Sequence, residues 1–300
     1  MTFTSTFSLR QWLAILTTLL CSALNPAQAA ITCSINAPAA LNFVYVSGTD
    51  ATSPNNKIQS AITAICQRNV GNDPTTAVIT LQAGDGGQPV NSTNQALFSG
   101  SLISYDTWQN AACTAQFDTN ATRIQANFAS TTFSPETLTF NYWGCIPAQV
   151  VASFPAGVYV DSFTLTLREG NKRLANSAVT VNITAPAKCT ITGGPGNITF
   201  DYTAFGPANF QFTNFTANCT NSLPYNMDLS PVAGVVGGLR YVLGLADVAG
   251  SAGNLGPTTL SRVGSVTGSR SHVINGSMLA NQAGQLGAIV PQLHTLTITY

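Results

Sequence analysis

Charge is what this sequence has least of. Only 7% of its 300 residues are charged, and the 11 basic side chains are matched by 11 acidic ones. Such a balance leaves no electrostatic footprint for nucleic acid or for an anionic bilayer. Histidine occurs twice, at His272 and His294, away from every cysteine, and no CxxC pair exists. Nothing therefore reads as a zinc site. The GxSxG elbow, HExxH, the phosphate loop and the dinucleotide fingerprint are all missing, and "AGSAG" lacks the first glycine of an elbow. The acids are scattered, with no spaced pair suited to acid–base work. "GNDP" and "AGDGG" gather too few oxygens for calcium. These absences predict a chain that is not an enzyme and carries no metal and no cofactor. Long Lys/Glu/Leu stretches are absent as well, whereas Thr, Asn, Ser, Gly, Val and Phe abound. That composition predicts an all-β, extracellular protein.

Long apolar runs are almost absent. Trp12–Leu24 is one, but its 13 residues fall short of the ~20 needed to span a bilayer. Arg10 precedes it, and Pro26 and Ala27-Gln28-Ala29 follow, which is the layout of a signal peptide over residues 1–29. Leu20 is too large for the position before a lipidated cysteine at Cys21. Removal of the leader leaves six of the seven cysteines: Cys33, Cys66, Cys113, Cys145, Cys189 and Cys219. An even count in an exported chain predicts disulfides, with about 15 pairings open. Pairing in sequence order is the simplest, because Cys33–Cys66 and Cys189–Cys219 enclose loops of similar size. Each bridge would contribute about 3–4 kcal/mol on the chain-entropy estimate.

What is present is a repeat. "TCSINAPAALNF" (32–43) and "KCTITGGPGNITF" (188–200) each set a cysteine at the start of a short strand, and a second cysteine follows in "ITAICQ" and "FTANCT". An alternating segment comes next in each, then "YWGCIPAQ" (142–149) or "INGSMLANQ" (274–282), and last "TLTL" (164–167) or "TLTI" (295–298). Five landmarks in one order predict two homologous immunoglobulin-like β-sandwich domains, 30–185 and 186–300, joined around Ala185–Lys188. The copies differ at their ends. After the turn Glu169–Lys172 the first continues into an alternating strand, "AVTVNI" (178–183), whereas nothing follows Tyr300 in the second. The second domain is thus expected to lack its last strand. Its open edge would be Leu293, Thr295, Leu296, Thr297, Ile298 and Tyr300, with Leu296 and Ile298 on one face. Unpaired main-chain groups along a buried edge are unfavourable, so a strand from elsewhere is expected there.

"WGCIPAQVVASFPAGVYVDSFTLTL" resembles the terminal signature of the spore coat U family, through Gly144, Ile146, Pro147, Gln149, Pro155, Gly157, Tyr159 and Asp161. The second domain resembles the family through "CTNSLPYNMDLSP", "GGLRYVLGL" and "TLTITY", but departs from it at Pro291 and Gln292, where the tyrosine–aspartate element is lost. The resemblance implies a subunit of an archaic chaperone–usher pilus. It also implies its partners: a periplasmic chaperone, an outer-membrane usher and a neighbouring pilin that donates a strand. Shaft subunits of the family carry a donor extension before the first cysteine, whereas cleavage near Ala29 would leave about three residues, too few for a groove at ~3.3 Å per residue. That asymmetry, with the two-domain layout, is similar to the tip adhesin of such pili, exported to the periplasm and displayed at the cell surface for attachment to an abiotic or host surface and for biofilm formation.

Strand parity sends three loops to the pole far from the linker: Asn69–Thr76, the segment "NFASTTFSPE" and the turn Glu169–Lys172. The candidate adhesive residues are Val70, Phe128 and Phe133, with Tyr105 and Trp108 from "SYDTWQNAAC", whose pole is open. Exposed apolar tips would bind by area burial, at about 25 cal/mol per Å². A Phe or Trp near a strand end also suits a lid over a core, and "REGNKR" suits a solvated turn. Tyr159 and Trp143 are expected in the core. Asn91, Asn197 and Asn214 lie in glycosylation triplets, which matter only in a eukaryotic exporter. A coat or minor pilus subunit without a ligand, or a sugar-binding lectin, are the alternative readings.

Overall fold

The structure, a computed structural model, describes residues 31–45, 56–71, 73–87, 93–117, 123–147, 154–285 and 290–300. The expected leader, Asn91 and Gln149 lie outside the described residues. Every regular element among those residues is a β-strand.

Ten strands form one continuous sheet that curls upon itself. They are β1 (Thr32–Ile35), β2 (Leu41–Val44), β3 (Lys57–Gln67), β4 (Thr76–Ala83), β5 (Asn94–Phe98), β6 (Ser101–Trp108), β7 (Ile124–Ala129), β8 (Glu136–Cys145), β9 (Gly157–Glu169) and β10 (Lys172–Ala185). One wall runs β1-β3-β8-β6, and β5 leads from it to the other wall, where β9 lies between β10 and β4. Alternation drives the folding of these strands. In β8 the residues Leu138, Phe140 and Tyr142 are buried, and in β10 so are Val179, Val181 and Ile183. They meet Tyr159, Phe163, Leu165 and Leu167 of β9 in one core. Trp143, expected in that core, is half-buried: it sits between Tyr142 and Gly144, so the pleat turns it to the outer face.

The hairpin β9–β10 closes on Glu169 opposite Lys172. Gly170 in its two-residue turn has a φ of 55°, a left-handed conformation that glycine adopts without steric penalty. On its far side β10 takes β2 in parallel, with Leu41 opposite Val181 and Phe43 opposite Ile183. Both edges of β10 are therefore paired, one with β9 and the other with β2.

Eight further strands follow: β11 (Cys189–Thr192), β12 (Asn209–Cys219), β13 (Pro224–Ser230), β14 (Ala233–Val236), β15 (Leu239–Ala246), β16 (Thr259–Val263), β17 (Ser269–Met278) and β18 (Thr295–Thr299). They form two sheets, β11-β12-β17-β15-β14 and β16-β13-β18, around a second core. The first order repeats β1-β3-β8-β6-β5, and the second repeats β7-β4-β9. Between the two sets lies Pro186–Lys188. Thr220 ties it to the second set, its Oγ1 donating to the carbonyls of Pro186 and Lys188 at 3.0 and 3.2 Å.

The six cysteines pair in sequence order, Cys33–Cys66, Cys113–Cys145 and Cys189–Cys219. The first and third join neighbouring strands at equivalent places, Cys33 opposite Cys66 and Cys189 opposite Cys219.

Candidate functional site

Among the described residues the second set has a counterpart for every strand of the β9 wall except β10 and β2. The counterpart of β9 is β18: Leu165 and Leu167 lie opposite Ala83 and Leu81, as Leu296 and Ile298 lie opposite Leu229 and Met227. The counterpart of β2 is Asn197–Phe200, which forms no strand. Two glycines fix this equivalence. A Cβ on Gly144 would come within 2.7 Å of Phe43 Cζ and 2.8 Å of Leu41 Cδ1, and one on Gly276 within 2.8 Å of Phe200 Cζ and 3.4 Å of Ile198 Cγ2. Each glycine lets the same aliphatic–aromatic pair lie flat on its sheet.

Between Ile198–Phe200 and β18 lies a groove of about 740 Å³, lined by Ile198, Phe200, Leu243, Ile274, His294 and Leu296 among others. It occupies the place that β10 fills in the first set. Leu41, Phe43, Leu165 and Leu167 are fully buried, whereas Ile198, Phe200, Leu296 and Ile298 are half-buried. Among the described residues no strand pairs with the second edge of β18. Of the edge named from sequence, Leu296 and Ile298 face inward onto the second core, and Thr295 and Thr297 are exposed on the other face. Leu293 and Tyr300 flank β18 and are 89% and 60% exposed.

Polar pins hold this region. Nδ1 of His294 lies 2.5 Å from the Pro231 carbonyl, which can only accept, so Nδ1 carries the proton. Nε2, 2.6 Å from Tyr241 Oη, then accepts from that hydroxyl. Burial pushes the Tyr241 hydroxyl above its ordinary pKa, which keeps it a donor. Tyr105 is the register counterpart of Tyr241 and donates to Asp161 at 2.7 Å. Burial first, then the bond to Asp161, push its pKa far up. Asp161 also accepts from the Gly87 N–H at 2.8 Å. Tyr159 donates to the Pro155 carbonyl at 2.9 Å, and burial pushes its pKa up to about 12. The signature tyrosine and aspartate are thus braces of the first core.

A second polar set escaped the sequence reading. His272, fully buried, donates from Nδ1 to Asp247 at 2.9 Å and accepts at Nε2 from Tyr225 at 2.9 Å. Arg262 and Arg270 close on the same carboxylate at 2.7 and 3.6 Å. Burial lowers the His272 pKa despite the pull of Asp247. Burial would raise Asp247, but the Arg262 bond and the charges of Arg262, Arg270 and His272 outweigh it and hold the carboxyl below its ordinary value. Tyr225, Asp247 and Arg262 precede His272 by 47, 25 and 10 positions, so no local motif marks the set. Among the described residues no group of three or more His, Cys, Asp or Glu is arranged to hold a metal ion.

The candidate adhesive residues separate. Val70 and Phe133 are exposed at 53% and 57%, on the loops after β3 and before β8. Both loops lie at the pole of the β9–β10 turn, since β4 and β7 begin their pairing there at Thr76 and Ala129. Tyr105 and Phe128 do not belong to this set. Both are fully buried, Tyr105 within β6 and Phe128 within β7, because each falls on the inward phase of its strand. Trp108 ends β6 half-buried opposite Trp143, seven residues down β8 from the pole, or roughly 23 Å at 3.3 Å per residue. Arg68, not singled out from sequence, lies between the two loops, with its guanidinium carbon 5.5 Å from the Phe133 ring centre.

A family model described as Spore Coat Protein U domain matches residues 17–166, half of the chain. A search of curated proteins gave no match. Among solved structures, the chain is similar to one from the CsuC–CsuE chaperone–tip adhesion subunit pre-assembly complex of archaic chaperone-usher Csu pili of Acinetobacter baumannii. The TM-score is 0.50 at 13% identity, over 90% of this chain and 100% of that one. The CupB6 tip adhesin from Pseudomonas aeruginosa gives 0.43 at 11% identity, over 91% and 95%. The first of these shares the all-β fold. By its sequence match over half its length, the chain belongs to the Spore Coat Protein U domain family.

Proposed function

We propose that this chain is the tip adhesin subunit of an archaic chaperone–usher pilus, made of an adhesin domain, 30–185, and a strand-accepting pilin domain, 186–300. The observation that carries the reading is the groove beside β18, at the place where the first domain has its own β10. A strand laid there would bury Ile198, Phe200, Leu296 and Ile298 and pair the free edge of β18. A periplasmic chaperone would supply it first and the neighbouring pilin afterwards, at the usher. The similarity to a chain from a chaperone–tip adhesion subunit complex supports this assignment of partners. The leader would take the chain to the periplasm, and assembly would carry it to the cell surface.

The first domain needs no such partner, because β10 seals it. Its free pole presents Val70 and Phe133, and we assign adhesion to abiotic or host surfaces, and with it biofilm formation, to those loops. Serine at both positions should reduce attachment of piliated cells to polystyrene while fibre number stays the same. Unchanged attachment would instead favour a structural subunit without a ligand.

A further inference from the structure

Arginine is seldom buried, yet Arg68 is only 7% exposed at the pole where the exposed apolar side chains of Val70 and Phe133 stand. Its guanidinium donates to three main-chain carbonyls. Nη2 reaches Gly71 at 2.8 Å and Nε reaches Asp73 at 3.1 Å, both within the loop after β3. Nη1 reaches Thr131 at 3.3 Å, in the loop before β8. The same group lies over the Phe133 ring at 5.5 Å, a cation–π contact that fixes the ring face. One side chain thus joins two loops that are 60 residues apart in sequence and carries one exposed apolar side chain of the pair directly.

The described residues of the loop after β3 gather around the same point. The Asp73 carboxylate accepts from the main-chain N–H of Asn69 and from that of Val70, the latter at 2.8 Å. The Asp73 N–H returns to the Val70 carbonyl at 3.0 Å. Asn69 is held in turn by Thr32, whose Oγ1 donates to Asn69 Oδ1 at 3.1 Å. Val70 therefore projects from a turn closed by Asp73 on one side and by Arg68 on the other. Across the gap, the Ser130 N–H donates to the Thr75 carbonyl at 2.9 Å.

We infer that Arg68 is a positioning residue for adhesion: it locks the two loops so that Val70 and Phe133 form one preformed apolar contact. This inference rests on the assignment of adhesion to those loops. Apolar side chains on loose loops lose rotamer and main-chain freedom when they bind, and locking them beforehand removes that loss. A buried cation suits the task because its fork must satisfy several fixed acceptors at once. A lysine ammonium has three donors, but all on one nitrogen, so it cannot span carbonyls set around a planar fork and has no flat face to lay on the ring.

The test uses the full chain on piliated cells, with R68A, R68K and the V70S/F133S pair, and polystyrene as the probe surface. Fibre number is counted for each, and hydrogen exchange is measured on the purified complex with its chaperone. Attachment should fall several-fold in R68A and in R68K. Fibre number should stay unchanged, and exchange should quicken over 69–75 and 130–135 alone. Attachment retained in both Arg68 variants, while V70S/F133S loses it, overturns the positioning role and leaves the adhesive loops standing. Retention by V70S/F133S overturns the assignment of the loops themselves. Exchange quickened throughout 30–185 in R68K also overturns the inference, since Arg68 would then act on stability alone.

Discussion

Gly144 and Gly276 occupy equivalent places, and the same substitution should act differently at each. In G144A the new methyl would lie 2.7 Å from Phe43 Cζ and 2.8 Å from Leu41 Cδ1. Neither can withdraw, because β2 is laddered to β10 and both side chains are fully buried. Overpacking of this kind costs about 1–3 kcal/mol. Loss of the glycine's unfolded-state freedom returns roughly 0.5–1 kcal/mol, so about 1–2 kcal/mol of destabilisation remains. In G276A the tight contacts are Phe200 Cζ at 2.8 Å and Leu243 Cδ2 at 3.1 Å. Leu243, at the groove wall, needs to give by only a few tenths of an ångström, and Phe200 is half-buried and belongs to no strand. Its ring can swing aside, and the net change should be within about 0.5 kcal/mol of zero. Urea unfolding of the chain separates the two, because Trp108 and Trp143 both report on the first domain and the remaining tryptophan, Trp12, falls in the expected leader. G144A should lower the fluorescence midpoint by roughly 0.5–1 M, at a slope near 2 kcal/mol per M. G276A should leave both that midpoint and hydrogen exchange of β17 unchanged. Equal losses in the two variants would refute the reasoning, since they would mean that Phe200 is as confined as Phe43.

Two further outcomes follow from the same geometry. The C113S/C145S double variant opens a bridge with a sequence separation of 32, so the first domain should lose about 3–4 kcal/mol, read as a lower fluorescence midpoint. Stability of the second domain should also depend on pH. His272 has its folded pKa below the ordinary value, so the unfolded chain takes up the proton first, and stability falls as pH drops through the ordinary histidine range towards the folded value. Asp247 is likewise depressed; its contribution is present above the ordinary carboxylate range and is lost only as pH falls through its lower folded value. Between pH 7.5 and 5.5, an H294N chain, in which His272 is the one histidine left, should lose stability in the second domain and not in the first. A flat profile there would mean that His272 keeps its ordinary pKa.

The architecture was largely legible because its signals are local. Alternation marks each strand, and the repeated order of cysteine, glycine and terminal "TLT" marks the two sets. An unpaired edge on β18 was expected from comparison of the copies, and among the described residues β18 pairs with β13 alone. The candidate contact residues were less so. Phe128 sits in a polar stretch, and only the pairing of β7 with β4 shows that it is on the inward phase of a strand. Tyr105 lies on the inward phase of β6, and its buried hydroxyl is satisfied by Asp161, 56 positions away. Arg68 satisfies carbonyls on a loop 63 positions away, and no sequence pattern signals a cation whose partners are main-chain atoms. Long-range polar pairings of this kind are set by topology, which periodicity alone does not reveal.

The central claim is that the groove beside β18 awaits a strand. The most direct measurement extends the chain after Tyr300 with a copy of residues 170–185, so that the turn Gly170-Asn171 and β10 follow "TLTITY" as they follow "TLTLRE" in the first domain. Hydrogen exchange is then compared with and without the extension, at Ile198–Phe200 and at Leu296–Ile298. Rapid exchange and association are expected of the unextended chain when no chaperone is present, and slow exchange in a monomer once the strand is added. Slow exchange at both segments in a stable, unextended monomer would contradict the claim.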